Sequence, residues 1–320
     1  MNPFVRRNLP LISTAAIFIL LFASASLKYD GFFSGSVLVN IFSDNAVLGI
    51  TAVGMTLVIF AGGIDLSVGA VVAYTSIFSA ILIQRGEHPG AVAFYVLSLG
   101  ALFGAFMGTL IHVFKQPAFL ITLAGMFLAR GMGFWVSNES TSITHPLYDS
   151  LSRFELSIGE NVHVPLTALL LLATIVVGYV VAHFTRFGRN LLAIGGSEQS
   201  ALLMGLPVGA TKIAAYTLNS TLAAFAGLVA TLYTGSGNPS LGVGLELDSI
   251  AIVVIGGTLL AGGRGHMIGT LFGILVFGTI QSAILFDGRL DSAWVRIVVA
   301  ALLLTFILLQ RAIVRSTAKR

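Results

Sequence analysis

Long apolar runs separated by short polar stretches recur along this chain, at about 9–27, 45–61, 66–83, 91–113, 117–136, 164–184, 211–233, 247–261, 268–285 and 293–310. Each is close to the roughly 20 residues that carry a helix across a bilayer core. The pattern predicts an all-α, polytopic membrane helix bundle of about ten transmembrane helices, with residues 1–320 forming one transmembrane domain. The two weakest runs, 247–261 and 268–285, are candidates for partly re-entrant segments.

One carboxylate interrupts the otherwise uncharged stretch from Asn45 to Gln84: Asp65, in Gly62-Gly-Ile-Asp-Leu-Ser-Val-Gly69. A charge near the centre of a spanning helix costs roughly 2.5 to 3.5 kcal/mol on insertion scales, so it persists where it caps a helix, meets a partner or touches water. Gly-Gly breaks a helix and Asp-Leu-Ser suits the start of the next, which predicts Asp65 or Ser67 as N-cap. A place in a pathway is the alternative reading.

Composition strengthens the membrane reading, since a chain that is 56% hydrophobic and 9% charged is not a soluble domain. Basic residues collect on one set of alternating connections and span ends: Arg6, Arg7, Lys115, Arg186, Arg189, Lys212, Arg264, Arg311, Arg315, Lys319 and Arg320. The other set holds Lys28, Arg85, Arg153 and Arg289. By the positive-inside rule both termini are expected in the cytoplasm. Acidic residues sort the other way, apart from Asp65 and Glu198, so the basic balance is a topology signal and points to no nucleic acid. Arg6 and Arg7, an apolar run and Ala23-Ser-Ala25 resemble a signal peptide, but the run is long and many more follow, which predicts an uncleaved first helix. Cysteine is absent, which excludes disulfides and cysteine-ligated metals.

Gly100, Gly104 and Gly108, and again Gly265, Gly269 and Gly273, stand in Gly-x-x-x-Gly register and predict close helix packing. Two connections are long. The outer one, Ser137 to Val164, carries Glu139, Asp149, Arg153, Glu155 and Glu160 and reads as an exposed periplasmic surface without a core of its own. In the inner one, His183 to Ala210, Gly195-Gly196 breaks the chain, Ser197 can N-cap, Glu198 suits the positive helix end, and Gly205 and Pro207 stop it. A short helix from Glu198 to Met204 follows, exposing Ala201, Leu202, Leu203 and Met204. It is too small to stand alone and needs either the membrane interface or a groove in another protein.

Chemistry is scarce. No Gly-Lys dipeptide occurs, so there is no nucleotide-binding P-loop, and neither His-Glu-x-x-His nor Gly-x-Ser-x-Gly is present. His88, His145, His163 and His266 lack metal-ligand spacing, while His112 and His183 sit near span ends. What remains is polar and mostly neutral: Thr51, Thr56, Thr122, Arg130, Thr217, Asn219, Ser220 and Thr221, with Phe134 and Trp135 nearby. These could hydrogen-bond and stack on a polyhydroxylated solute, although interhelical hydrogen bonding and interfacial anchoring describe them as well.

Gly62-Gly-Ile-Asp-Leu-Ser-Val-Gly69, Arg186-Phe-Gly-Arg-Asn-Leu-Leu-Ala-Ile-Gly-Gly196 and the run from Glu246 to Gly265, in this order, resemble the permease subunits of ribose-type ABC sugar importers over nearly the whole chain. The runs Asp44 to Thr56, Thr122 to Phe127 and His145 to Asp149 look most like a permease of the galactofuranose importer, which pairs two different permeases. The resemblance implies a bacterial inner-membrane importer in which a periplasmic sugar-binding protein delivers the substrate. A second, non-identical permease completes the pathway and a cytoplasmic ABC ATPase drives it. It further implies that Glu198, Ala201, Leu202, Leu203 and Met204 form the element that couples to the ATPase. Asp65, Ser67, Thr122, Arg130 and Asn219 are the candidate pathway or gating residues. Ser197 and Ser200-Ala201 depart from the family's Asn and paired alanines in the coupling segment. Catalytic residues, metal and cofactor are expected in none of this chain, and the surrounding partner is membrane lipid. An autonomous facilitator or ion-coupled carrier is the alternative, and a membrane enzyme a third.

Overall fold

A computed structural model describes residues 3–159, 162–291 and 293–318, with side chains for 11–159, 162–291, 293–306 and 308. Glu160, Lys319 and Arg320 lie outside the described residues, as do the side chains of Arg6, Arg7, Arg311 and Arg315.

The order is α1 (Pro3–Lys28), α2 (Gly35–Asp44), α3 (Ala46–Phe60), α4 (Val68–Gln84), α5 (Pro89–Phe114), α6 (Ala118–Val136), β1 (Thr141–Ser142), α7 (Pro146–Ser152), β2 (Glu155–Ile158) and β3 (Val162–Pro165). It continues with α8 (Leu166–Phe184), α9 (Arg186–Gly196), α10 (Glu198–Leu203), α11 (Val208–Thr234), β4 (Ser236–Gly237), α12 (Leu245–Ile255), α13 (Met267–Asp287) and α14 (Ala293–Ala318). Helices make the bundle. Among the described residues strands are confined to the short antiparallel pairs β1 with β4 and β2 with β3.

α3 lies at the centre, buried along almost its whole length, as a helix apolar on every side must be. α11 packs against it and against α4 and α5. The α5–α11 seam is the one the glycine register predicts: a β-carbon on Gly104 would stand 2.7 Å from Ser220 Cβ and 2.9 Å from Thr217 Cα. Gly273 of the second register lies against Ile252 of α12. α1 packs on α13 and donates from Thr14 Oγ1 to Ile255 O at 2.6 Å.

The expectation of about ten crossings does not hold. Among the described residues, six helices are long and apolar enough to cross: Leu11–Lys28, Pro89–Val113, Ala118–Val136, Leu166–Phe184, Val208–Thr234 and Met267–Asp287. A seventh is reached only if α2 and α3, bent by 62° at Asn45, are counted as one span. The reason is that apolar composition and helical continuity part company here. The run at 66–83 gives the 17-residue α4, the run at 247–261 gives the 11-residue α12 before Gly256 and Gly257 turn the chain, and 268–285 is the unbroken α13. Runs without an uninterrupted helix of about 20 residues satisfy the sequence pattern but not the length.

The long outer connection is also more tightly held than its composition predicts. Ile143 and Tyr148 are buried in the main core, Tyr148 Oη lies 3.2 Å from Thr231 Oγ1, and β1 pairs with β4 across Thr141–Gly237 and Ser142–Ser236. β2 is exposed throughout, whereas β3 buries Val164 and lays Val162 against Gly35.

Candidate functional site

Between α3 and α4 the chain leaves helical geometry, and Asp65 is 1% exposed there. It is not the N-cap. Ser67 holds that position with helical φ and ψ and makes no side-chain capping bond. Instead Asp65 Oδ1 accepts from Ser67 N at 2.9 Å and Ser67 Oγ at 2.6 Å, and Oδ2 accepts from Asn219 Nδ2 of α11 at 2.8 Å. A carboxylate that only accepts fixes the orientation of the Asn219 amide, leaving Asn219 Oδ1 buried without a hydrogen-bond partner among the described residues. Thr122 of α6 completes the clamp: its Oγ1 accepts from Leu66 N at 3.1 Å and donates to Ala118 O at 2.9 Å. Asp65, Ser67, Thr122 and Asn219 therefore share one site that ties the broken segment to two spans.

Arg130 does not belong to it. Two turns further along α6, its guanidinium donates to Leu241 O at 2.6 Å, Pro239 O at 3.0 Å and Gly242 O at 3.4 Å. The segment it holds runs inward along α4. Gly237 lies against Ser76 and Ile77, Asn238 exchanges bonds with Ser76 Oγ at 3.2 and 3.3 Å, and Gly242 lies against Gly69. From Ile77 to Gly69 is ~12 Å of helix. Non-helical backbone at that depth cannot take its hydrogen bonds from lipid, and Arg130 supplies donors to three of its carbonyls. Glu246 follows at the start of α12, within electrostatic range of Arg130, with Oε2 buried against Gly69 and without a hydrogen-bond partner among the described residues.

Sequence reasoning missed this inward segment and Glu246. The clue was Gly242 and Gly244 ahead of an acidic residue in a short apolar run, which composition alone assigns to an ordinary loop. Other polar positions resolve as packing: Thr51 meets Ser249 at 2.9 Å, Thr56 meets Thr270 at 2.7 Å, and Thr217 and Thr221 donate to Ile213 and Thr217 carbonyls of their own helix. Trp135 is 88% exposed on the outside of the bundle and cannot stack on anything between α6 and its neighbours. Three of the histidines are N-caps, of α5, α7 and α13, accepting through Nδ1 from Gly90, Leu147 and Ile268.

At the end of the bundle that carries Lys212, α10 forms as expected, from Glu198 to Leu203 with Met204 closing it. Ser197 Oγ accepts from Ser200 N at 3.2 Å, and Gly205, at φ +76°, ends the turn. Glu198 pairs with Lys212 Nζ at 2.6 Å. Ala201, expected outside, is fully buried with Ile194 and Val208. Leu202, Leu203 and Met204 are exposed, Leu203 by 84%.

The described residues form a membrane helix bundle whose breaks are held by buried polar clamps. The profile of the family "Branched-chain amino acid transport system / permease component" matches residues 37–308, and the chain belongs to that family, among the ribose-type ABC permeases. It is 50% identical over 310 residues to the inner membrane ABC transporter permease protein YjfF of Escherichia coli K12, covering 97% of this chain and 94% of that one. It is 39% identical over 316 residues to the fructose import permease FruG of Bifidobacterium longum (96% and 92% covered). With the ribose import permease RbsC of E. coli K12 the identity is 36% over 266 residues (83% of each). No solved structure matches. The chain is a multi-pass protein of the bacterial inner membrane and not an enzyme.

Proposed function

We propose that this chain is the pathway-forming permease subunit of an ATP-driven, binding-protein-dependent importer of a monosaccharide, with galactofuranose as the substrate. The observation that carries the reading is α10: a capped, ion-paired helix that turns Leu202, Leu203 and Met204 outward at the basic end of the bundle. The chain has no P-loop, so the energy must enter from a separate ATPase, and an exposed apolar helix turn fixed on a rigid base suits a groove in such a partner. The ribose and fructose import permeases among its relatives favour a sugar. The likeness of the runs around Asp44, Thr122 and His145 to one galactofuranose permease favours that sugar, and with it a second, non-identical permease and a periplasmic sugar-binding protein.

In this mechanism Glu198 and Ala201 face the chain and hold α10 in place, while Leu202, Leu203 and Met204 make the contact. Asp65, Ser67, Thr122 and Asn219 keep the break between α3 and α4 attached to α6 and α11, so that a push on the bundle moves these spans together. Purification of the tagged chain in mild detergent should recover an ATPase and a second permease. Leu203→Asp should lose the ATPase while keeping membrane insertion and melting temperature, and cells carrying it should take up no labelled galactofuranose. Normal ATPase recovery with that variant refutes the docking role of α10, and flux through the isolated chain refutes the importer reading.

A further inference from the structure

The Gly-Gly pairs of all three sequence motifs meet at one point. The Gly263 amide donates to Phe60 O at 3.1 Å, joining the turn after α12 to the end of α3. A β-carbon on Gly262 would stand 2.6 Å from Gly62 N and 3.1 Å from Gly195 Cα. One on Gly195 would stand 2.5 Å from Gly263 N and 3.1 Å from Gly262 C, and would strike Phe60 O. These are contacts of backbone on backbone, which no flexible side chain can relieve, so only glycine fits at the crossing. The crossing joins the last turn of α9, which leads directly into α10, to the start of the 61–67 break and to the turn between α12 and α13.

We propose that Gly62, Gly195, Gly262 and Gly263 form a rigid junction that transmits displacement of α10 to the Asp65 segment and to α12. The inference rests on the reading of α10 as the ATPase contact. Packed backbones have no rotamers through which to absorb a shift, so α9, the 61–67 segment and the 256–266 turn move as one body. Asp65 then passes the displacement to α11 through Asn219, and Thr122 passes it to α6. These four glycines are positioning residues that act through the segments they join.

The test uses the assembled transporter, with its ATPase and second permease, in proteoliposomes supplied with binding protein, sugar and internal ATP. Gly195→Ala should keep the ATPase bound but lower sugar taken up per ATP hydrolysed by at least about tenfold, which corresponds to ~1.4 kcal/mol of coupling. Gly196→Ala should behave as wild type, because a β-carbon there meets nothing within 4 Å. Unchanged coupling in Gly195→Ala overturns the junction. Retention of the ATPase by Leu203→Asp would instead overturn the α10 reading on which it rests. Should Gly195→Ala fail to assemble, the exposed Gln199 and Arg264 decide the matter, replaced by cysteines in a chain that has none and spin-labelled. Their separation should stay constant between nucleotide-free and ATP-bound states while each changes its distance to a label at the exposed Glu87. A Gln199–Arg264 separation that changes with nucleotide overturns the proposal.

Discussion

Replacing Asp65 by alanine removes the acceptor of three hydrogen bonds and leaves Ser67 N, Ser67 Oγ and Asn219 Nδ2 buried without it. At about 1 to 3 kcal/mol for each of the two groups left orphaned, the loss is about 2 to 6 kcal/mol, since the serine hydroxyl can turn to another acceptor. Asp65→Asn is a different perturbation. The oxygen facing Ser67 survives, and the new amide group meets Asn219, whose Oδ1 has no partner and can be brought round to accept from it. One unsatisfied oxygen is exchanged for one unsatisfied amide NH2 group, that of Asn219, at about 1 to 2 kcal/mol. Asn219→Asp places a second carboxyl group against the first, a repulsion of about 4 kcal/mol at 4 Å and an effective dielectric of ~20 unless one of them binds a proton.

The decisive comparison is the exchange Asp65→Asn with Asn219→Asp, which restores one carboxylate and one amide to the same place. Thermal unfolding in detergent should rank the wild type first, then the exchange and Asp65→Asn close together, with Asp65→Ala and Asn219→Asp on the order of 10 °C lower, at a few degrees per kcal/mol. Uptake measured in parallel separates structure from transport: Asp65→Asn should retain it if the carboxylate is a clamp. An exchange no more stable than Asn219→Asp alone, or Asp65→Ala melting within ~2 °C of wild type, refutes the pairing as the reason for the charge.

Arg130→Lys should release the inward segment, because a single ammonium cannot span the carbonyls of Pro239, Leu241 and Gly242; hydrogen exchange at 240–243 should quicken, whereas loss of protection confined to α6 would refute the role. Gly104→Ile should separate α5 from α11 and lower the melting temperature steeply, while Gly131→Ala, where a β-carbon meets nothing within 4 Å, should leave it unchanged. Tyr148→Phe removes the contact with Thr231 and should cost about 1 kcal/mol, read as faster proteolysis of the connection between α6 and α8.

Local signals in the sequence were legible wherever one residue type dictates one backbone outcome. Ser197, Glu198 and Gly205 delimit α10 almost to the residue, and the Gly100, Gly104 and Gly108 register locates the α5–α11 seam. The exposure of Ala201 was misread because a six-residue helix has no period long enough to tell its inner side from its outer side. The span count failed for a related reason: hydropathy measures affinity for lipid, and the apolar residues of α3, α4 and α12 are buried against protein instead. Asp65 was recognised as an oddity, but its partner lies 154 positions away on α11, a pairing that no local pattern encodes.

The breaks that upset the count are also where the chain can change shape. At 61–67, 237–244 and 256–266 the backbone is non-helical within or beside the bundle, and each break has a named holder: Asp65 with Asn219 and Thr122, Arg130, and the Phe60 carbonyl with its glycine crossing. Since lipid offers no hydrogen bonds to a backbone that comes loose, a break cannot flex alone without an unsatisfied group costing several kcal/mol. It must move with its holder. α4 is the element common to the first two, entered from the Asp65 turn and flanked by the segment that Arg130 holds, so tilting α4 shifts both clamps together. On the proposed importer reading, an access change would be a movement of clamped units about α4 and α11, with the charged residues inside keeping each unit whole as it moves.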